Sequence, residues 1–276
     1  MDPILVVGSV AVDEVVRLQA PLRIGSHNAG MDAGARIGGG AANTAMALAR
    51  AGDSVSVVSA VGEDEAGALL LDQLARLGVD LALVDRHAGE TTRSLIMLEE
   101  AGERTIVNRA RAPVALPADL ASRPASAFYV RSADPLLTEV IQERSKSCPV
   151  LAHVPPMTAD FRPAQVLVAS ESDLDPAFLH DPWQGGRRIA GETLEWMVLT
   201  RGERGAAAFD GKQVIEVGAP NVSVIDSTGA GDVFAAGLLH GLARGYAMGQ
   251  CLETAVSWGS ASVGYEGTMP PHTFPA

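Results

Sequence analysis

Asp226-Ser227-Thr228-Gly229-Ala230-Gly231-Asp232 sets two carboxylates, two hydroxyls and two glycines just ahead of an apolar run. Phe234, Gly237, Leu238, Gly241 and Leu242 then recur at three- and four-residue spacing, which predicts a helix with one apolar face. Ser227 or Thr228 can cap its start and Gly245 can stop it. A helix begins with unpaired N–H groups and a partial positive charge. Gly229, Ala230 and Gly231 carry almost no side chain, so an anion can come close to those donors. Asp232 puts a carboxylate beside this cradle, where it repels phosphate. The work that suits it is taking a proton from an alcohol that attacks phosphorus. A capped helix with small residues for close packing would use the same residues without chemistry, so the rest of the chain has to weigh in.

A second glycine cluster, Gly38-Gly39-Gly40-Ala41-Ala42-Asn43, opens a helix that runs to Gly52. Three successive glycines cost backbone entropy and suit a backbone that must touch something closely. Asn43 stands where a dinucleotide fingerprint needs its third glycine, and no lysine follows as in a P-loop. Asn43 offers a donor and an acceptor, which fits a sugar hydroxyl. Asp13 and Glu14 interrupt the apolar run from Val10 to Val16. They mark either a solvent-facing edge or a carboxylate that accepts hydrogen bonds from a polyol at the strand ends.

The elements that must position these groups alternate. Strands are expected at 4–7, 55–61, 79–84, 128–131, 149–154, 166–169 and 197–199, with helices between several of them, as in a parallel α/β sheet. Residues 13–37 and the hairpin 92–108, turning at Glu99-Glu100-Ala101-Gly102-Glu103, break that rhythm and are expected to pair into a small sheet over the site. Arg104, Arg109 and Arg111 form a basic cluster, read as a solvated loop or as a contact to phosphate. Residues 175–192 read as loop because of Pro176, Pro182, Gly185 and Gly186. Asp210-Gly211 signals a hairpin with a type I′ turn, and a last helix is expected at about 252–263 before a Pro-rich tail. His240 reads as packed rather than catalytic.

Composition excludes several classes. A net charge of −12 repels nucleic acid. No apolar run approaches the ~20 residues that span a bilayer, the N-terminus lacks a basic signal region, and two cysteines form no disulfide framework. The length leaves one or two domains open and the composition suits a cytoplasmic protein without membrane or nucleic-acid partners; a single enzyme domain over 1–276 is implied only by the resemblance that follows.

The early Gly38-Gly39-Gly40 with Asn43, the strand end Thr200-Arg201-Gly202 and the late Asp226-to-Asp232 motif, in this order, resemble the ribokinase-like carbohydrate kinases of the phosphofructokinase-B type. The resemblance runs from Ile4 to about Thr268. It implies a doubly wound, mostly parallel sheet flanked by helices, with a small β lid from about 13–37 and 90–110. It implies an ATP-dependent phosphotransferase acting on a hydroxymethyl group of a sugar or sugar-like molecule, or a nucleoside kinase or weakly catalytic binder of the same fold. On this resemblance Asp232 is the base, Gly229, Ala230 and Gly231 form the anion hole, and Asp13, Gly39, Gly40 and Asn43 hold the acceptor. Thr200, Gly202, Ser257 and Ser260 flank the nucleotide. Magnesium accompanies ATP near Asp173, and a monovalent cation such as potassium sits by Asp226, Thr228 and Gly267. The family's N-x-x-E becomes Ser170-x-x-Asp173 here, and Ser132-Ala133-Asp134 replaces a sugar-binding glutamate. Lid strands with apolar outer faces imply a homodimer through the lid.

Overall fold

The computed structural model describes residues 2–100, 104–154, 161–268 and 274. Nine strands build the larger sheet: β1 (Ile4–Val7), β4 (Val55–Gly62), β5 (Val84–His87), β8 (Ala127–Val130), β9 (Val150–His153), β10 (Val166–Ser170), β11 (Trp196–Thr200), β12 (Ala206–Phe209) and β13 (Val214–Val217). Four build the smaller sheet: β2 (Ala11–Leu18), β3 (Gly30–Gly38), β6 (Thr92–Leu98) and β7 (Arg104–Ala110). The helices are α1 (Gly40–Arg50), α2 (Glu65–Arg76), α3 (Leu137–Arg144), α4 (Pro176–His180), α5 (Pro182–Ala190), α6 (Ala230–Leu242) and α7 (Met248–Ser262).

The larger sheet runs β13-β12-β11-β10-β9-β8-β1-β4-β5 and is parallel from β11 to β5. Both its faces are covered, so its strands read as continuous apolar runs. The two-residue period then divides them. Ile4 and Val6 face a core shared with Ala42, Leu48 and Leu238, while Leu5 and Val7 face a second core with Phe128 and Ile141. β1 sits between β4 and β8, so successive crossovers leave it in opposite directions. Open sheets of this kind offer a ligand crevice beyond the strand ends at that switch point.

The smaller sheet runs β3-β2-β6-β7. It joins the two segments that were expected to pair. No helix among the described residues is long and apolar enough to cross a membrane.

Several expectations need correction. The strand placed at 79–84 is reduced to an isolated parallel bridge of Asp80 with Ser56, and β5 begins only at Val84, after a turn that Asp80 holds. Its Oδ1 accepts from the N–H of Ala82 and its Oδ2 from Ser56 Oγ. Residues 175–192 are helical. Asp175 and Asp181 cap α4 and α5 by accepting from the N–H of Phe178 and Gln184. Pro176 and Pro182 each stand in the first turn, where a missing N–H costs nothing. Gly185 and Gly186 face the Phe178 ring and Leu194 closely, leaving no room for a Cβ. At 210–213 positive φ occurs at Gly211 alone, so the turn lacks the double positive φ of type I′. Arg104 and Arg109 lie on β7 and not in a loop. α7 begins at Met248, before the expected start. The hairpin turn at 101–103 and most of the Pro-rich tail fall outside the described residues.

Candidate active site

α6 starts differently from the expected cap. Neither Ser227 nor Thr228 caps it. Gly229, with φ of 78°, is the N-cap and makes no side-chain bond. A non-glycine residue is strained there. The turn is held from outside: Thr228 N–H donates to Asp226 Oδ1 at 2.8 Å and Ala230 N–H to Ser227 O at 3.3 Å. Ala230's donor is thus engaged, while Gly229 and Gly231 show no N–H partner among the described residues. Space beyond Gly231 is open. Close packing fixes the helix behind this end, since Gly237 and Gly241 let α6 press on Ala255 and Cys251 of α7. His240 is packed as expected, 2.7 Å from Asp53 and against Trp258.

Asp232 is buried, yet it lines a cavity of about 640 Å³. Its Oδ2 accepts from Asn43 Nδ2 at 2.9 Å, and its Oδ1 from Arg131 Nε at 3.2 Å. Asn43 Oδ1 is buried with no partner among the described residues, which leaves it an acceptor facing this region. The cavity also takes in Asp13, Gly39, Gly40, Thr228 and Gly229. The sequence motifs from the two ends of the chain therefore meet here.

The glycine triplet is explained by what it touches. A Cβ on Gly38 would fall 2.1 Å from the Asp13 carboxyl. One on Gly39, whose φ is 91°, would fall 2.4 Å from Ser9 O, and one on Gly40 would fall 2.5 Å from Arg131 Cγ. Ser9 O in turn accepts from the N–H groups of Ala41 and Ala42. Two donors of the α1 terminus, on Ala41 and Ala42, are thus taken by protein, while Gly39 and Gly40 still line the cavity.

Asp13 belongs to β2 of the smaller sheet, in register with Ser94 of β6, and its side chain is buried. Burial raises its pKa to about 6, against the opposing effects of Arg36 and Ser94, and the Asp232 charge adds to the rise. Thr92, Ser94 and Asn108 of the smaller sheet line the same cavity, with Ile96 and Ile106. Glu14 turns the other way and pairs with Arg93 and Arg109.

Arg131 was missed from sequence. It ends a fully buried strand at the carboxyl edge of the sheet, beside the switch point, and that position is itself the signal. Its Nη1 lies 3.2 Å from His153 Nδ1. Burial and the charges of Arg131 and Arg162 push the His153 pKa down to about 3, so the imidazole is neutral and can accept from Arg131.

The other candidates lie outside this cavity. Thr200 ends β11, in register with Ser170 of β10, and Gly202 follows in a short 3-10 turn. Ser257 and Ser260 sit on α7. Gly259 between them would place a Cβ 3.5 Å from Ala230 O, so that stretch runs beside the first turn of α6. Asp173 ends the 3-10 turn after β10, where its charge favours the charged form of Arg131. No group of three His, Cys, Asp or Glu side chains among the described residues could hold a metal ion. Asp226 and Gly267 are occupied with one another: Gly267 N–H donates to Asp226 Oδ2 at 3.0 Å, and Arg36 Nη1 donates to the same oxygen at 2.9 Å.

The profile described as "pfkB family carbohydrate kinase" matches residues 1–274. A fructosamine kinase of Bacillus subtilis is 28% identical over 249 residues, covering 83% of this chain and 87% of its own length. An aminoimidazole riboside kinase of Salmonella typhimurium is 26% identical over 271 residues, covering 86% and 85%. The crystal structure of a ribokinase from Cryptococcus neoformans in complex with ADP superposes with a TM-score of 0.81 at 25% identity, covering 98% of this chain and 96% of that one. An Arabidopsis thaliana ribokinase complexed with ribose and ATP gives 0.81 at 23% identity, with the same shares covered. The chain belongs to the pfkB family of carbohydrate kinases.

Proposed function

From that membership we propose that this kinase transfers the γ-phosphoryl group of ATP to a hydroxymethyl group of a sugar or sugar-like acceptor, with Asp232 as general base. The observation that supports the reading is the meeting of Asp232 and Asn43 at the floor of a cavity whose roof carries Thr92, Ser94 and Asn108.

The acceptor lies under the smaller sheet, which acts as a lid. Asp13 and Asn43 take its hydroxyls, and the backbone at Gly39 and Gly40 lets it approach. One hydroxyl points at Asp232, which receives the proton as the oxygen attacks phosphorus. The N–H groups of Gly229 and Gly231, without a partner among the described residues, and the α6 terminus meet the charge that develops on the phosphoryl oxygens. ATP lies along Thr200, Gly202 and the Ser257–Ser260 stretch of α7. Magnesium bound with ATP would offset the charge of the phosphates, and Asp173 is the carboxylate that would face it. This suits an ion held mainly by phosphates and water. Water is kept from the transferring group by the closed lid, which Arg104 ties to Ser227 Oγ at 2.8 Å.

Polar lid residues over Asp13 favour a polyol over a nucleoside base. The fructosamine kinase relative makes ketose-linked amines the first compounds to try. ADP release is measured with MgATP across polyols, ketoses, ketosamines and nucleosides. Turnover with one of the first three groups is expected. Turnover with nucleosides alone overturns the acceptor class, and no turnover with any overturns the kinase reading.

A further inference from the structure

Asp226 opens the cradle loop and is 1% exposed. A carboxylate buried this far needs a counter-charge or a full set of hydrogen bonds. It has both. Oδ1 accepts from Thr228 N–H; Oδ2 accepts from Gly267 N–H and from Arg36 Nη1. Burial opposes its ionisation, and the bonds from Thr228 and Gly267 with the Arg36 charge overcome that and hold its carboxyl below the usual range. Gly267, at φ of 88°, brings its backbone against the guanidinium, so that a Cβ there would lie 3.2 Å from Arg36 Nη1. The loops expected to hold a monovalent ion therefore close on an arginine. An ion at Oδ2 would lie against that guanidinium, and two like charges in contact near a protein surface repel strongly. The residues present do not fit the ion.

We propose that the Arg36 guanidinium is the resident cation of the Asp226 loop, and that this loop takes no monovalent metal ion. Arg36 comes from β3 of the lid, directly across from Asp13 in the β2–β3 pairing. Its charge acts on Asp13 as well. One guanidinium thus serves a carboxylate on the acceptor side and another on the cradle side. Thr268 Oγ1, donating to Ile37 O at 2.8 Å, fastens the same strand to the same loop. A tethered cation orders the cradle at every salt concentration, which a bound ion does not. Only Nη1 is used toward Asp226, so an ammonium group can take its place.

The inference goes beyond the proposed reaction, and its main readout is stability. Wild type, Arg36→Lys and Arg36→Met are compared at fixed ionic strength in potassium, sodium or tetramethylammonium chloride, by thermal unfolding and by ADP release. Wild type and Arg36→Lys are expected to be indifferent to the cation. Arg36→Met is expected to lose about 2–4 °C or more in tetramethylammonium chloride and to recover much of it in potassium. A wild-type Tm that rises in potassium over tetramethylammonium overturns the inference, as does an Arg36→Lys variant that needs potassium. If Arg36→Met does not fold, wild type and Arg36→Lys still decide. A chain that releases no ADP with any acceptor still gives the thermal comparison, so the two readings fail separately.

Discussion

Arg131 Nε lies 3.2 Å from Asp232 Oδ1, and the same guanidinium reaches His153 Nδ1 through Nη1. The guanidinium offsets the charge of the carboxylate and leaves its second oxygen to Asn43. Two different nitrogens are in use, one to each partner, and a planar fork meets both where a point charge cannot. Arg131→Lys is therefore expected to lose about 10- to 100-fold in kcat/KM, the scale of one charge-assisted hydrogen bond. Steady-state kinetics check this, and a lysine variant with wild-type kcat/KM would remove Arg131 from the site.

In the proposed acceptor site, Asp13 is expected to make binding depend on pH. Its ionised form accepts hydrogen bonds from hydroxyls, and its pKa stands near 6. Acceptor KM is expected to rise as pH falls below about 6, and Asp13→Asn is expected to flatten that profile at a higher KM. Stability moves the other way. A carboxyl raised in the folded state from 3.8 contributes its full stability below about pH 4 and loses it as pH climbs through 6. The difference is about 3 kcal/mol for this group alone. Asp13→Asn should then melt higher than wild type at pH 8, and thermal scans at pH 5 and pH 8 measure it.

Gly38→Ala tests the same carboxylate from behind. The added methyl would overlap the Asp13 carboxyl group. The expected outcome is a folded protein with acceptor KM raised about tenfold or more, since misplacing one binding group by an ångström costs heavily, and with KM for ATP little changed. An equal rise in both constants would mean that the glycine serves the whole fold.

Asp64 ties the segment leading into β6 of the smaller sheet to the start of α2. As N-cap of α2 it accepts from Gly67 N–H at 2.8 Å, and its other oxygen accepts from Thr91 N–H at 3.0 Å. Thr91 precedes β6, and its hydroxyl accepts from Gly62 N–H. Burial opposes the Asp64 charge, and the Thr91 and Gly67 bonds overcome it, lowering its pKa to about 2. Its stabilisation is present above about pH 4 and is lost as pH falls through 2. Asp64→Ala is expected to cost about 1–2 kcal/mol at pH 7 and less at pH 2.5, by denaturant unfolding.

Much of this was written plainly in the sequence. Buried parallel strands announce themselves as Ile4-Leu5-Val6-Val7 does, and the glycines ahead of Asp232 mark the tight turn at Gly229 that opens α6. The misses share one cause. Asp175-Pro176 and Asp181-Pro182 look like loop chemistry because caps and first-turn prolines use the residues that also make turns. Asp80 sits in an apolar stretch and pairs with Ser56, but its Oδ1 then turns the chain at Ala82 before the strand can continue. Arg131 and Arg36 could not be ranked among 21 basic residues, because what singles them out is a carboxylate more than a hundred residues away in the chain.

Asp232→Asn puts the central claim to the most direct test. The amide keeps the size of the side chain but cannot take the proton. With an acceptor that wild type phosphorylates, single-turnover transfer from bound ATP is expected to slow by about 10²- to 10⁴-fold. Acceptor and nucleotide affinities, measured by calorimetry, should stay near wild type. Transfer at a near-normal rate in this variant would contradict the account, for the acid at the head of α6 would then have no part in activating the alcohol.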